Sequence, residues 1–237
     1  TNDNGGTMQA GDFMLYVNNE ELTDPEVTEE VEGTSSALYE LPLYSNAEYN
    51  VSESEVPGYE NTSIDCMDVT NGLEDAPALS QPFTTTSGMK VRCEVYNNDK
   101  APVVHVTKTT EGEECFYDES WYEEESWCEG ERFNFTMNLD GEEYTDFGLG
   151  NGDEFTTKSD MNAGVVEVTE AETEGWFLVE ANCYSYGDDN MMEYLGMGFK
   201  TEIGKEYYCD FYNEKAGQVM VTKFHDYDED GEWDEGE

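Results

Sequence analysis

Apolar residues recur at every second position along short stretches of this chain, the period of a half-buried β-strand, and amphipathic helices are not visible. In VVHVTK (103–108) the alternation puts Val104, Val106 and Lys108 on one face. The same parity joins Val219, Val221 and Lys223, then Cys93, Val95 and Asn97, then Cys209, Phe211 and Asn213. Val51 falls with Glu53, and Val168 with Glu170. Lysine, asparagine and glutamate therefore point where apolar residues point, and an unpaired Lys or Glu there is costly enough to need a partner. The turn signals NDNGG, NNDK, LDGEE, GNGD and YGDDN separate the strands. An all-β chain is expected.

The chain also repeats itself. VSESEVPGYENTSIDC (51–66) aligns without a gap on VTEAETEGWFLVEANC (168–183), CEVYN (93–97) on CDFYN (209–213), and HVTK (105–108) on MVTK (220–223). FMLYVN (13–18) matches FNFTMN (133–138), with a longer offset caused by an insertion at about 111–131. Two antiparallel β-sandwiches in tandem are expected, over 1–102 and 103–217, with 218–237 left as an extra strand and an acidic loop. The cysteines fall into the repeat. Cys66 is equivalent to Cys183 and Cys93 to Cys209, so Cys66–Cys93 and Cys183–Cys209 are the economical pairs. Each closes a loop of roughly 25 residues, worth about 3 kcal/mol in chain entropy. Cys115 and Cys128 are left to staple the insertion EECFYDESWYEEESWC.

Charge narrows the function. The 237 residues carry 57 Asp+Glu against 10 Lys+Arg, a net charge of −47, with 37% hydrophobic residues. That apolar share permits a core, so the chain is not a disordered acidic tail. Cations this sparse argue against phosphate recognition, so neither nucleic acid nor an anionic membrane surface is an expected partner. No apolar run is long enough to span a bilayer, and membrane insertion is not expected. The charge suits multivalent cations, high salt or plain solubility, and halophilic adaptation is a serious alternative. No CxxC occurs and the histidines are His105 and His225 alone, which favours disulfides over zinc. Sequons at Asn50, Asn61 and Asn134 fit an exported, glycosylated protein at the cell surface. Without a Gly-rich phosphate loop or a nucleophile motif, neither an organic cofactor nor an enzyme acting on an external substrate is expected.

Taken in order, TNDNGGTMQAGDF (1–13), VSESEVPGY with VTEAETEGW, and CEVYN with CDFYN resemble the prealbumin-like, Cna B-type (SpaA-like) domains of surface proteins and pilins. The resemblance covers nearly the whole chain and implies Ig-like sandwiches whose first strand ends in Thr-Lys. The second unit has that strand, VVHVTK (103–108); the first lacks it, and a further copy, QVMVTK (218–223), follows the second unit. The expectation is a homopolymer in which strand 218–223 of one copy completes the first domain of the next, head to tail, as an extracellular pilus-like filament. The alternatives are a segment of a longer repetitive protein, and a monomeric adhesion module binding a surface glycan or protein through Trp121, Tyr122 and Trp127 of the insertion.

The resemblance further implies an isopeptide bond from a Lys of the first strand to an Asn of the last, promoted by a Glu. Residue by residue this gives Lys108, Asn213 and Glu170 within one chain, and Lys223 of a donor with Asn97 and Glu53 of an acceptor. A buried Lys–Glu ion pair with Asn beside it, or a Lys reaching out to solvent, is the alternative.

DYDEDGEWDEGE (226–237) fits a twelve-position calcium loop, with Asp226, Asp228 and Asp230 at positions 1, 3 and 5 and Gly231 at 6. Glu232 offers its carbonyl at 7, Asp234 stands at 9 and Glu237 supplies the carboxylate at 12. Oxygen ligands favour Ca²⁺. A strand rather than a helix precedes the loop, so an EF-hand proper is not expected, and similar loops follow opening strands in calcium-binding members of the family it resembles. Ca²⁺ bound there would make assembly calcium-dependent.

Overall fold

The computed structural model describes residues 2–23, 26–31, 34–112, 116–117, 126–127, 130–187, 190–217 and 219–221. The first half of the repeat forms β1 (Leu15–Val17), β2 (Glu20–Glu21), β3 (Glu26–Val31), β4 (Thr34–Leu38) and β5 (Glu48–Tyr49). It continues with β6 (Val51–Glu53), β7 (Tyr59–Asp68), β8 (Ala78–Leu79), β9 (Phe83–Thr84) and β10 (Val91–Asp99). The second half forms β11 (Val103–Glu111), β12 (Phe116–Tyr117), β13 (Ser126–Trp127), β14 (Phe133–Leu139), β15 (Glu142–Leu149) and β16 (Glu154–Thr156). It ends with β17 (Val165–Glu170), β18 (Trp176–Tyr186), β19 (Met192–Tyr194), β20 (Gly198–Lys200) and β21 (Glu206–Lys215). Among the described residues the one helical element is a 3-10 turn at Ala10–Asp12.

In the second sandwich a sheet of order β16-β11-β21-β18-β19 packs on one of order β15-β14-β17-β20. The inward positions of the alternating pattern, Val104, Val106, Phe135, Met137, Val168 and Phe211, are at most 1% exposed. Pairing is antiparallel except between β11 and β21, which run parallel with Val106 opposite Cys209 and Lys108 opposite Phe211. These two strands open and close the sandwich and are joined through all the others, so no hairpin constrains their direction.

The first sandwich repeats this plan in part. Tyr49 opposite Phe83 reproduces Val166 opposite Phe199, and Leu15 opposite Glu53 reproduces Phe135 opposite Glu170. The order β10-β7-β8 matches β21-β18-β19. Bulges fall at equivalent places, skipping Thr62 and Val179, so that Asn61 stands opposite Asn97 and Leu178 opposite Asn213. Among the described residues its core is thinner: Tyr49, Cys66 and Phe83 form the buried cluster, against fourteen residues in the second sandwich.

The two sandwiches meet at a tight joint. Asp99, buried at the end of β10, accepts backbone N–H groups of Asp3, Asn4 and Gly6 at 2.7–3.1 Å, a carboxylate held in a nest of amides. Asn4 Nδ2 donates to the carbonyls of Ser159 and Met161 at 3.3 Å, and its own carbonyl accepts the Ala163 N–H at 2.8 Å. Beside them Lys100 N–H donates to Gly58 O and Gly204 N–H to Lys100 O, both at 2.8 Å. Gly58 and Gly204 have φ of +81° and +69°, and a Cβ on Gly204 would stand 2.8 Å from the Gly58 Cα. The close approach of the two backbones requires glycine there.

Candidate functional site

Lys108, Glu170 and Asn213 come together inside the second sandwich. β11 and β21 carry the lysine and the asparagine on adjacent strands, Lys108 opposite Phe211 and Asn213 opposite Thr110, and β17 brings the glutamate from the opposite sheet to both. Lys108 Nζ donates to Glu170 Oε2 at 2.8 Å, and Asn213 Nδ2 donates to Glu170 Oε1 at 2.5 Å. The lysine is fully buried, and the Glu170 side chain is 3% exposed. Lys108 Nζ also sits 4.2 Å from the centroid of the Phe133 ring, close enough for cation–π attraction. Burial pushes the Lys108 amine below the ordinary lysine range, and the hydrogen bond and charge of Glu170 oppose that shift.

The amide of Asn213 is only half satisfied. Its Oδ1 is buried with no hydrogen-bond partner among the described residues. Turned over, that oxygen would face Glu170 Oε1, a favourable contact only if the carboxyl carries a proton. The trio is thus either a buried ion pair with an amide beside it, or an amine, an amide and a proton carrier set for amide exchange.

Among the described residues no lysine reaches the equivalent site of the first sandwich. Asn97 Nδ2 donates to Glu53 Oε1 at 2.7 Å, as Asn213 does to Glu170. Glu53 Oε2, the counterpart of the oxygen that holds Lys108, accepts Asn61 Nδ2 at 3.0 Å. Alongside lies a cavity of about 760 Å³, lined by Ala37, Leu38 and Tyr39 on one flank and by Val91, Cys93 and Val95 on the other. β4 holds the place of β16, with Leu38 matching Phe155, and β10 holds that of β21. In the second sandwich β11 lies between those two strands and bonds to both. Among the described residues β4 pairs only with β3 and β10 only with β7. No strand lies between the edges of β4 and β10 among the described residues, and the cavity opens there. Residues 219–221, which repeat the pattern of β11, form no strand, and Val219, Met220 and Val221 are 84–88% exposed.

The other expected residues sit as follows. Cys66–Cys93 and Cys183–Cys209 are disulfides between directly opposed residues of neighbouring strands. Asn50 and Asn134 are exposed, and Asn61 is exposed while bonded to Glu53. His105 lies on the outer face of β11, stacked on Tyr208 at 4.9 Å with Nδ1 2.7 Å from Glu154 Oε1, a surface strand residue rather than part of a reactive site. Cys115, Cys128, Trp121, Tyr122, Lys223, His225 and the loop residues Asp226, Asp228, Asp230, Glu232, Asp234 and Glu237 lie outside the described residues, as does the side chain of Trp127. Among the described residues no group of acidic, His or Cys side chains is placed to hold a metal, and no helix is long and apolar enough to cross a membrane. Sequence reasoning missed the Asn61 contact, because the bulge that aims Asn61 at Glu53 has no sequence signal beyond an ordinary Asn-Thr-Ser.

No protein-family model matches the chain, and neither does any curated protein. Among solved structures it is similar to the major pilin protein T-13 of Streptococcus pyogenes, with 13% identity over 86% of this chain and 88% of that one and a TM-score of 0.36. The T3.2 major pilin of the same organism gives 13% identity, 86% and 89% coverage, and a TM-score of 0.36. A further S. pyogenes major pilin gives 15% identity, 86% and 91% coverage, and a TM-score of 0.30.

Proposed function

We propose that this chain is a structural subunit of an extracellular fibre, assembled head to tail by strand exchange. The carrying observation is the slot between β4 and β10, which corresponds to the place β11 fills in the second sandwich. The occupant is residues 218–223 of a second copy, whose MVTK repeats the HVTK of β11. The pairing of β11 sets the register: Val219 faces Val91, Val221 faces Cys93 and Leu38, and Lys223 faces Val95. In that register Lys223 approaches Glu53 Oε2 and displaces Asn61. The inserted strand pairs with both open edges and covers the thin core, so one segment repairs two defects. Donor and acceptor lie at opposite ends of the repeat, which makes the contact heterologous and propagating.

The same sites support covalent locking. Neutral Lys108 Nζ would attack Asn213 Cγ; the new Nζ–Cγ amide forms, the Cγ–Nδ2 bond breaks, and ammonia leaves. Glu170 would accept the proton from the amine and pass it to the departing nitrogen. Lys223, Asn97 and Glu53 would do the same across subunits. The chain acts on no external substrate in this reading. Ca²⁺ held by Asp226, Asp228, Asp230, Glu232, Asp234 and Glu237 would stiffen the segment next to the donor strand and reduce repulsion between acidic subunits. The two cross-strand disulfides suit an oxidising, extracellular setting.

The test is native material boiled in detergent and reductant. A ladder at subunit multiples, with one ammonia lost per junction and abolished by Lys223→Arg, is the expected result. Val221→Asp should abolish assembly altogether. Native protein that stays a single species with its slot filled from its own polypeptide would overturn exchange between copies.

A further inference from the structure

The joint between the two sandwiches is built from turns that the repeat supplies twice, and the second set makes no such joint among the described residues. Gly58 has its counterpart in Gly175, with φ of +81° at both. The turns match in detail: Tyr59 N–H donates to Val56 O at 3.0 Å, and Trp176 N–H to Thr173 O at 3.1 Å. Gly204 has its counterpart in Gly88, with φ of +69° and +82°. Here too the turns agree, Lys205 N–H donating to Glu202 O at 3.3 Å and Met89 N–H to Thr86 O at 3.1 Å.

At the joint inside the chain, Gly58 and Gly204 touch, and Lys100 bonds to both. Half of that arrangement exists again at the end of the second sandwich, where Ala216 N–H donates to Gly175 O at 2.7 Å just as Lys100 does to Gly58. The other half sits at the far end of the first sandwich. Among the described residues a Cβ at Gly175 or at Gly88 would meet nothing within 4 Å, so no packing there explains the absence of a side chain at either. Positive φ does not demand glycine at these turns, since Asn18, Asn19, Asn46 and Asn190 adopt it in this same chain.

We infer that Gly175 and Ala216 of one copy dock on Gly88 of the next, in a joint of the kind that Gly58, Lys100 and Gly204 make between the two sandwiches. Gly88 N–H donates to Ala216 O across the contact, as Gly204 N–H donates to Lys100 O. The partner is a second copy of this chain, because the matching half-joint is written into its own repeat. This rests on the head-to-tail reading and adds to it a contact outside the strand slot, one that fixes the angle between successive subunits. A fibre so joined has the same rigid step between sandwiches within and between chains.

The test separates slot from joint. The receptor is the full chain carrying Val219→Asp and Val221→Asp, which cannot donate a strand. Its ligands are trace fluorescent wild-type chain and a synthetic peptide of residues 218–223. Gly88→Asn in the receptor should weaken the whole chain about tenfold or more, by the steric cost of a side chain at a backbone contact, and the peptide by less than about twofold. Gly175→Asn in the labelled chain probes the contact from the other side and should weaken binding equally. Gly141→Asn, in an open turn with φ of +83°, is the control for backbone strain and should change nothing. Equal binding of the whole chain to Gly88→Asn and unsubstituted receptor overturns the joint while strand exchange stands. If neither ligand binds the unsubstituted receptor, head-to-tail assembly falls and the joint with it.

Discussion

Removing the carboxylate at Glu170 exposes what holds the second sandwich together. Glu170→Ala leaves the Lys108 ammonium with no exposed surface, facing the Phe133 and Phe135 rings at 4.2 and 6.0 Å. Breaking a buried pair in this way costs about 3–5 kcal/mol. The amine can shed its proton, which caps the loss: carrying a neutral lysine at pH 7 costs about 1.4 kcal/mol for each pH unit below its ordinary pKa, about 5 kcal/mol in all. At roughly 4 °C per kcal/mol for a domain of this size, the calorimetric transition of the second sandwich should fall by about 12–20 °C. The deficit has a pH signature. Burial lowers the folded-state pKa of Lys108, so between that value and the ordinary lysine pKa the unfolded chain binds more protons. Stability in Glu170→Ala should therefore rise with pH through that window and level off above it. Intact mass then separates the two chemistries. If Lys108 and Asn213 are joined, wild type is one ammonia lighter than the mass of its own sequence while Glu170→Ala has the full mass of its sequence, and Lys108→Met/Glu170→Leu stays as unstable as the single variant. If they are only paired, the masses show no such loss and the double variant recovers most of the stability. A loss under about 1 kcal/mol with no pH dependence would refute the burial of Lys108 against Glu170 altogether.

Asn61→Leu, which copies Leu178 of the second sandwich, frees Glu53 Oε2 and should tighten binding of the 218–223 peptide by up to about tenfold in fluorescence anisotropy, the value of one competing hydrogen bond. Burial, aided by Asp210, pushes the Tyr184 hydroxyl up to about 12. Its raised folded-state pKa makes a contribution to stability that is present below about pH 10 and lost as pH climbs from there towards 12, so Tyr184→Phe should flatten the alkaline fall of the urea midpoint. Cys183→Ser/Cys209→Ser opens a cross-link spanning 26 residues and should cost the second sandwich about 3–4 kcal/mol in denaturant titrations.

The repeat and its alternation carried most of the architecture. Glu170 meets both Lys108 and Asn213 as the family resemblance implies; from the alternation itself Val104, Val106 and Lys108 share a buried face, and from the repeat the disulfides Cys66–Cys93 and Cys183–Cys209 join equivalent strands. Period-two reasoning reaches this far because one buried face fixes the register of every strand that contributes to it. It does not reach β4, where Ser36, Ala37 and Leu38 have little alternation to read, yet they form the far wall of the slot. It also misses Asn61, because a bulge changes parity by one residue and no residue type announces it. The joint glycines looked like ordinary turn residues. Their role depends on the close approach of two turns far apart in sequence, which no local pattern encodes.

Salt offers the last and most general check on strand exchange. Each subunit carries a net charge of −47, so bringing two end to end sets like charges against one another. The proposed contact is mainly apolar, with one buried Lys223–Glu53 pairing that salt screens little: Val219 and Val221 enter a slot lined by Leu38, Val91 and Val95. Salt screens the first effect, the Debye length falling from about 8 Å at 0.15 M to about 3 Å at 1 M, and leaves the second intact. Association measured by sedimentation should therefore strengthen steadily from low to molar NaCl, the reverse of a complex held by ion pairs. Weakening over that range would mean that opposite charges, not strand and slot, carry the contact. Ca²⁺ compared with NaCl at equal ionic strength then isolates the loop at 226–237. An extra gain at micromolar to millimolar Ca²⁺, lost on Asp226→Ala/Asp228→Ala, marks a bound ion, whereas equal curves mean that screening alone drives assembly.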